Sequence, residues 1–441
     1  MKKKILIKNN IIIIKFFAAL FFIFIYLIRS EANIVFDDEI DNFFAKITSP
    51  ILNISGLSDR GISAKVILSN EKNAFVTGNN NVYISSGLIN ETSDIEELIG
   101  VFAHEIAHIK RKDIFKIIAK AELLKKNQVL STVLGVIIGI SLKSPEIGSI
   151  STLAGLDALN LDILKFSRQQ EESADKLALI WLSELGVGKD GMLKLFNSML
   201  KKEQFNNLQN SYRYTHPLSK ERIKYIKNFK AIKKPTSFIT ADLIVQYNLI
   251  KAKLYSLTNT DTEINKKYRG DKYYDLYAKV FKNAKLKKFS TSFNLLNELI
   301  TKNPNYSYFY VTMGELFFEN GEINKSNEYF NKAILMNKNL PVTMFELANN
   351  YISSKTNIKS AIELLNIISI KYYDVSEIWK KLGIAYEINK NYLEAYISFA
   401  KASLLNKNTA LAKKFIEKAE KYANPDNTYK LRDIKKLIEK T

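Results

Sequence analysis

The chain contains no cysteine. No disulfide can brace the fold, no thiolate can hold a metal or attack a substrate, and no lipid can be attached through an N-terminal Cys. Any metal must therefore be held by histidine and carboxylate side chains. Histidine is nearly as scarce: the 441 residues hold three, His104, His108 and His216. Long hydrophobic runs are missing too. Phe16 to Ile28 and Val129 to Leu142 are the prominent apolar stretches, and each falls short of the roughly 20 residues a membrane-crossing helix needs. The net charge of +20 is spread over a chain rich in Lys, Asn and Ile, with no compact arginine-rich patch. It reads as compositional bias, and no nucleic-acid partner is expected. Peripheral contact with a membrane surface stays open.

The length suits two or three domains. Residues 1–32 read as an export signal: a basic start with Lys2, Lys3, Lys4 and Lys8, an apolar core, and Ser30-Glu31-Ala32 as a small-x-small cleavage site. The other reading is an uncleaved anchor. Both send the remaining chain across a membrane, and the periplasm is the expected location. Residues 33–230 mix strands and helices. Ala64 to Leu68, Ala74 to Thr77 and Val82 to Ser85 have strand composition, and the Gly78-Asn79-Asn80-Asn81 turn makes the last two a hairpin. A helix follows. Ser93 and Glu96 form an S-x-x-E capping box, and apolar residues recur at Ile95, Leu98, Ile99, Phe102, Ala103 and Ile106. Its end is expected near Lys110-Arg111-Lys112, where cations favour the dipole. Val129 to Leu142 is either a buried helix or a hydrophobic flap near the active site or membrane.

Residues 231–272 read as a connector with one amphipathic helix around Leu243 to Leu257. Beyond it the sequence is periodic. Trp379, Leu382, Gly383 and Tyr386 fit the W-x2-L-G-x2-Y opening of a tetratricopeptide (TPR) repeat, with Ala395, Phe399 and Ala402 behind them. Leu347, Ala348 and Tyr351 hold the equivalent places one repeat earlier, and Met313, Gly314 and Phe317 one earlier still. Residues 273–441 are thus expected to form a TPR solenoid, whose groove commonly takes a peptide or a partner protein. A rigid spacer is the other reading.

The chemistry lies in His104-Glu105-Ile106-Ala107-His108. Residues four apart on a helix share a face, so both imidazoles can reach one metal ion. Without thiolates that donor set suits Zn2+, one per chain. Glu105 falls in an adjacent sector, placed to take a proton from the attacking water. A catalytic zinc needs a third protein ligand. Glu171 and Asp175, four apart on a second expected helix, offer a ligand and a carboxylate to orient a ligand histidine. Their spacing fits a solvated acidic face equally well. His216-Pro217 by itself is a structural loop element.

These three motifs, in this order, resemble the gluzincin zinc peptidase family of HtpX and the CAAX prenyl protease. The resemblance covers roughly residues 60 to 225. It implies Glu171, in E-x-x-A-D, as the third zinc ligand with Asp175 beside it. It places His216, Pro217 and Arg222 on the downstream H-P-x4-R. His216 then stabilises the oxyanion or fills zinc's fourth position in a latent state, and Arg222 orients through ion pairs. The implied fold is α+β: a mostly helical zincin-type metallopeptidase domain with a small β-sheet, then an all-α TPR solenoid. Signal, peptidase and repeats together are most similar to the periplasmic type that acts on β-barrel assembly. That type implies an endopeptidase for misfolded or misassembled outer-membrane proteins, with polypeptide substrates and the outer-membrane assembly machinery as a TPR partner. The alternative is a TPR-based chaperone or scaffold whose peptidase activity is latent or secondary. Substrate is expected extended beside the Asn73 to Thr77 or the Val82 to Ser85 strand.

Overall fold

The computed structural model describes residues 34–77, 81–116, 168–205, 216–231, 237–426 and 428–439. The export signal, the 78–80 part of the expected turn and the 129–142 apolar stretch lie outside them. No helix among the described residues is long and apolar enough to cross a membrane. The chain divides into two compact units at Leu296/Asn297. Among the described residues the first is mostly helical with one small sheet, and the second holds helices and turns alone.

In the first unit, β1 (Ile34–Val35) leads into α1 (Asp38–Ser55). The Asp37 side chain accepts from the Ile40 amide at 3.0 Å and caps the helix, and Gly56 ends it at φ 66°. Ile40, Phe43, Phe44, Ile47 and Ile51 recur at helical spacing and are fully buried. Each stabilises by about 1.5–3 kcal/mol relative to exposure. Next come β2 (Ala64–Ile67), β3 (Ala74–Val76) and β4 (Val82–Ser85). The β3–β4 hairpin is antiparallel, as the sequence predicts, with Val76 opposite Val82. The sheet order is β1-β2-β4-β3, and β2 pairs parallel to β4. Val82 to Ser85 is therefore an interior strand with both edges paired. That corrects the expectation that it could offer an edge to substrate, and among these two strands only β3 can.

Helix α2 (Ser86–Glu91) precedes the motif helix α3 (Ile95–Lys110). The capping pair is displaced by one residue from the one expected. Asp94 accepts from the Glu97 amide at 3.0 Å, and the Glu97 carboxylate accepts from the Ser93 amide at 3.2 Å. Ser93 and Asp94 are both competent caps, and the structure uses the one nearer the helix. The apolar face of α3 meets α1, where the Phe44 and Phe102 rings pack edge to face at 4.9 Å.

The further helices among the described residues are α4 (Arg168–Glu184), α5 (Asp190–Phe205), α6 (Lys220–Asn228), α7 (Ala241–Thr258), α8 (Asp261–Lys267), α9 (Tyr273–Lys285) and α10 (Phe289–Lys302), the last crossing the division. α5 crosses α3 closely. A Cβ added at Gly191 would sit 2.4 Å from the Glu96 carbonyl carbon. Gly191→Ala is expected to cost roughly 1–3 kcal/mol, as overpacking does, read as a lowered thermal midpoint. Helix α7 lies in the stretch expected as a connector. Its Leu243, Tyr247, Ile250 and Leu254 belong to the same core as α1 and α3. The Tyr247 hydroxyl donates to the Thr92 carbonyl at 3.0 Å, and buried Lys253 pairs with Asp37 and Glu39.

The second unit runs as helical hairpins: α11 (Ser307–Glu319) with α12 (Ile323–Met336), α13 (Pro341–Ser354) with α14 (Ile358–Lys371), and α15 (Ser376–Ile388) with α16 (Tyr392–Leu405). Helices α17 (Thr409–Glu420) and α18 (Tyr429–Glu439) follow. The repeat is visible in its contacts. Gly314 lies against Phe330 and Gly383 against Phe399, so closely that an added Cβ would sit 2.5 and 2.6 Å from those rings. Between hairpins, Asn331 donates to the Tyr351 hydroxyl at 2.7 Å, and Asn366 to the Tyr386 hydroxyl at 3.1 Å. The small residue under an aromatic ring is what the TPR spacing predicts, and the recurring Asn–Tyr pair is added by the structure.

Candidate metal centre

Three helices and one loop bring the site together. His104, Glu105 and His108 come from α3, Glu171 and Asp175 from α4, Arg222 from α6, and His216 from the loop before α6. All seven are buried at 1% exposure or less. The Ser219 side chain accepts from the Arg222 amide at 3.1 Å, which starts α6 just after the His-Pro and fixes both. His104 Nε2 and His108 Nε2 are 3.1 Å apart, and His216 Nδ1 is 3.4 Å from the former. The Glu171 carboxylate lies 3.4 Å from His104, 3.2 Å from His108 and 3.1 Å from His216. Ligand atoms of His104, His108, Glu171 and His216 all fall within 4.8 Å of one another.

The surroundings orient these donors. His104 Nδ1 lies 3.0 Å from Asp175, and His108 Nδ1 3.1 Å from Asp113. Each carboxylate holds a ring proton on Nδ1 and leaves the two Nε2 lone pairs facing one another. In a dry site such a pair needs a proton or a metal ion between the two nitrogens. The charge balance agrees. Glu105, Glu171 and Asp175 are buried carboxylates set against one buried guanidinium, Arg222, while Asp113 is met by Arg111 and Lys116. Arg222 reaches Glu171 at 2.6 Å and Asp175 at 2.7 and 2.9 Å, and donates to the Pro217 carbonyl at 2.8 Å. Burial opposes a charged His104, but the Glu171 charge and the Asp175 hydrogen bond outweigh it and lift its pKa to about 10. Burial likewise opposes ionisation of Glu171, yet the charges of His216 and His104 hold its carboxyl well below the usual range. The field favours positive charge at this point. Nitrogen and carboxylate donors in such a field fit a divalent metal ion.

Asp113 is absent from the sequence expectations. It lies beside Lys110-Arg111-Lys112, which reads as a cationic helix end. In the structure Arg111 and Lys116 bind its carboxylate at 3.0 and 2.7 Å. Burial resists its ionisation, but the His108 and Lys116 hydrogen bonds carry its pKa down to about 2. An acid five residues after the second histidine, just past the turn that ends the helix, is the signal that could have found it. Asp113→Asn is expected to weaken metal binding by about 10–100-fold, as loss of a ligand's hydrogen-bond partner does. Competition against a chromogenic chelator measures it.

This arrangement coincides with a family match. The model for "Peptidase family M48" matches residues 44–230. Residues 44–230 are an M48 peptidase domain. Similar proteins of known name include a beta-barrel assembly-enhancing protease of Yersinia pestis, 21% identical over 81% of this chain and 74% of its own. One from Escherichia coli O157:H7 is 22% identical over 73% and 66%. The metalloprotease LoiP of Escherichia coli K12 is 28% identical over 42% of this chain and 70% of its own. LoiP is matched over 187 residues, whereas the Yersinia pestis alignment extends over 366. The M48 domain is a metallopeptidase, and the buried cluster of His104, His108, Glu171 and His216 fits a metal site.

Proposed function

We propose that the chain is an exported zinc endopeptidase acting on misassembled outer-membrane polypeptides in the periplasm, with the TPR unit docking a protein partner. The observation that carries the peptidase part is the convergence of His104, His108, Glu171 and His216 on one point. In this reading His104, His108 and Glu171 hold the zinc. Zinc, when bound, supplies a Lewis acid for the scissile carbonyl and the attacking water. Glu105 takes the proton of that water and returns it to the leaving amine nitrogen. Asp175 and Asp113 keep the two imidazoles in their metal-facing tautomer, and Arg222 balances the carboxylates of Glu171 and Asp175. His216 Nδ1 lies among the metal-facing atoms, 3.1 Å from Glu171 and 3.4 Å from His104 Nε2. That favours the fourth metal position, in a resting site, over an oxyanion role. Its other ring nitrogen is 3.5 Å from Glu105, so it also covers the general base. Substrate would add to the β3 edge by backbone pairing, which tolerates many sequences.

The assignment to outer-membrane quality control rests on the names of the similar proteins and on the expected export signal. Glu171→Ala tests the metal reading. Zinc per chain, measured by atomic emission after desalting, is expected to fall from near one to a small fraction. Full zinc retention would remove Glu171 from the ligand set.

A further inference from the structure

In the second unit, short turns join successive helices, which therefore run antiparallel. One edge of the unit collects the turns inside hairpins, and the other collects the turns between them. The two edges differ in composition. Inside the hairpins the turns are Asn320-Gly321-Glu322, Lys355-Thr356-Asn357 and Asn389-Lys390-Asn391, without an apolar side chain. Between them, α12 ends in Leu335-Met336, α14 in Ile370-Lys371 and α16 in Leu404-Leu405. Leu335 is 72% exposed, Ile370 81% and Tyr373 70%. Met336, Ile367 and Leu405 are exposed beside them. Exposed lysines stand at the same edge: Lys371 at the end of α14, and Lys338 and Lys407 just past α12 and α16. Lys338 and Lys407 lie in these turns and Lys371 at the last helical position before one, and the turns hold one acid, Asp374.

We propose that this edge docks on an anionic phospholipid bilayer. Large apolar side chains are exposed at the helix ends of successive repeats on this one edge, a recurrence that marks an interaction surface rather than scattered surface residues. The lysines select the occupant. A second copy presenting the same edge would bring like charges together. A neutral apolar peptide would leave the lysines without a role. Anionic lipid satisfies both sets, with Leu335 and Ile370 entering the acyl boundary and Lys338, Lys371 and Lys407 reaching phosphates. Tyr373 suits the headgroup level, where amphipathic rings settle. The proposal does not depend on the peptidase reading.

The test is sedimentation of the full-length chain with phosphatidylcholine vesicles, with and without phosphatidylglycerol. Two variants accompany it, Leu335→Ser/Ile370→Ser and Lys338→Gln/Lys371→Gln/Lys407→Gln. All five positions are exposed and lie outside the metal centre, so an unchanged thermal midpoint is expected and controls for folding. Wild type should prefer phosphatidylglycerol vesicles. The apolar variant should lose partitioning by about tenfold or more, and the lysine variant should lose the preference for anionic lipid. Absent wild-type binding, or both variants partitioning like wild type, would overturn the proposal. So would a wild-type dimer that the apolar variant turns to monomer without vesicles, which would give the edge to a second copy.

Discussion

Glu105→Gln is expected to lower casein cleavage by about 10²–10⁴-fold while leaving zinc content near one per chain. Glutamine has the shape of glutamate and can still hydrogen-bond, but it cannot accept the proton of the attacking water. Glu105 is fully buried and 3.5 Å from His216 Nε2, so an isosteric replacement disturbs the packing least. Initial rates on casein and zinc by atomic emission, on the same preparation, separate the roles. Cleavage within tenfold of wild type would remove Glu105 as the general base. Activity lost together with zinc would make it a contributor to the metal site.

Arg222→Leu is expected to be the most damaging single substitution in stability. The guanidinium is 1% exposed, lies with its centre 5.0 Å from the Phe196 ring centroid, and binds Glu171 and Asp175 together. Its removal leaves two buried carboxylates facing each other, and breaking such a pairing from one side costs about 3–5 kcal/mol. Urea denaturation of the zinc-loaded protein should show the midpoint falling accordingly. Arg222→Lys should recover little, because one ammonium cannot present the guanidinium fork to Asp175 while also reaching Glu171. A midpoint unchanged by either variant would mean the carboxylates are neutralised another way.

The parts legible in the sequence share a local signature. The motif helix is readable because an apolar face and two histidines one turn apart follow one period. The repeats are readable because Gly314, Ala348 and Gly383 recur with their neighbours. Glu171 and Asp175 have helical spacing but no local sign of whether they face metal or water, and the structure places both against His104. Asp113 was hidden by its basic neighbours. The interior position of Val82 to Ser85 was hidden because parallel pairing with β2 is a long-range event with no turn to announce it. Leu243 to Leu257 reads as an amphipathic helix of a connector, and its place in the first unit's core was hidden because the residues it packs against lie far off in the sequence.

That last helix bears on how the molecule comes into being. Lys253 meets Glu39 across 214 residues of chain, and Tyr277 reaches the same carboxylate, donating at 2.9 Å from 238 residues away. The polypeptide emerging first therefore cannot finish its core until α7 and α9 have emerged as well. Until then Asp37 and Glu39 have no lysine, and the sides of α1 and α2 that meet α7 stay wet. Closure of this kind is slow relative to local helix formation. For the export proposed above, such a delay would keep the amino-terminal half unlocked until the segment that locks it has been synthesised.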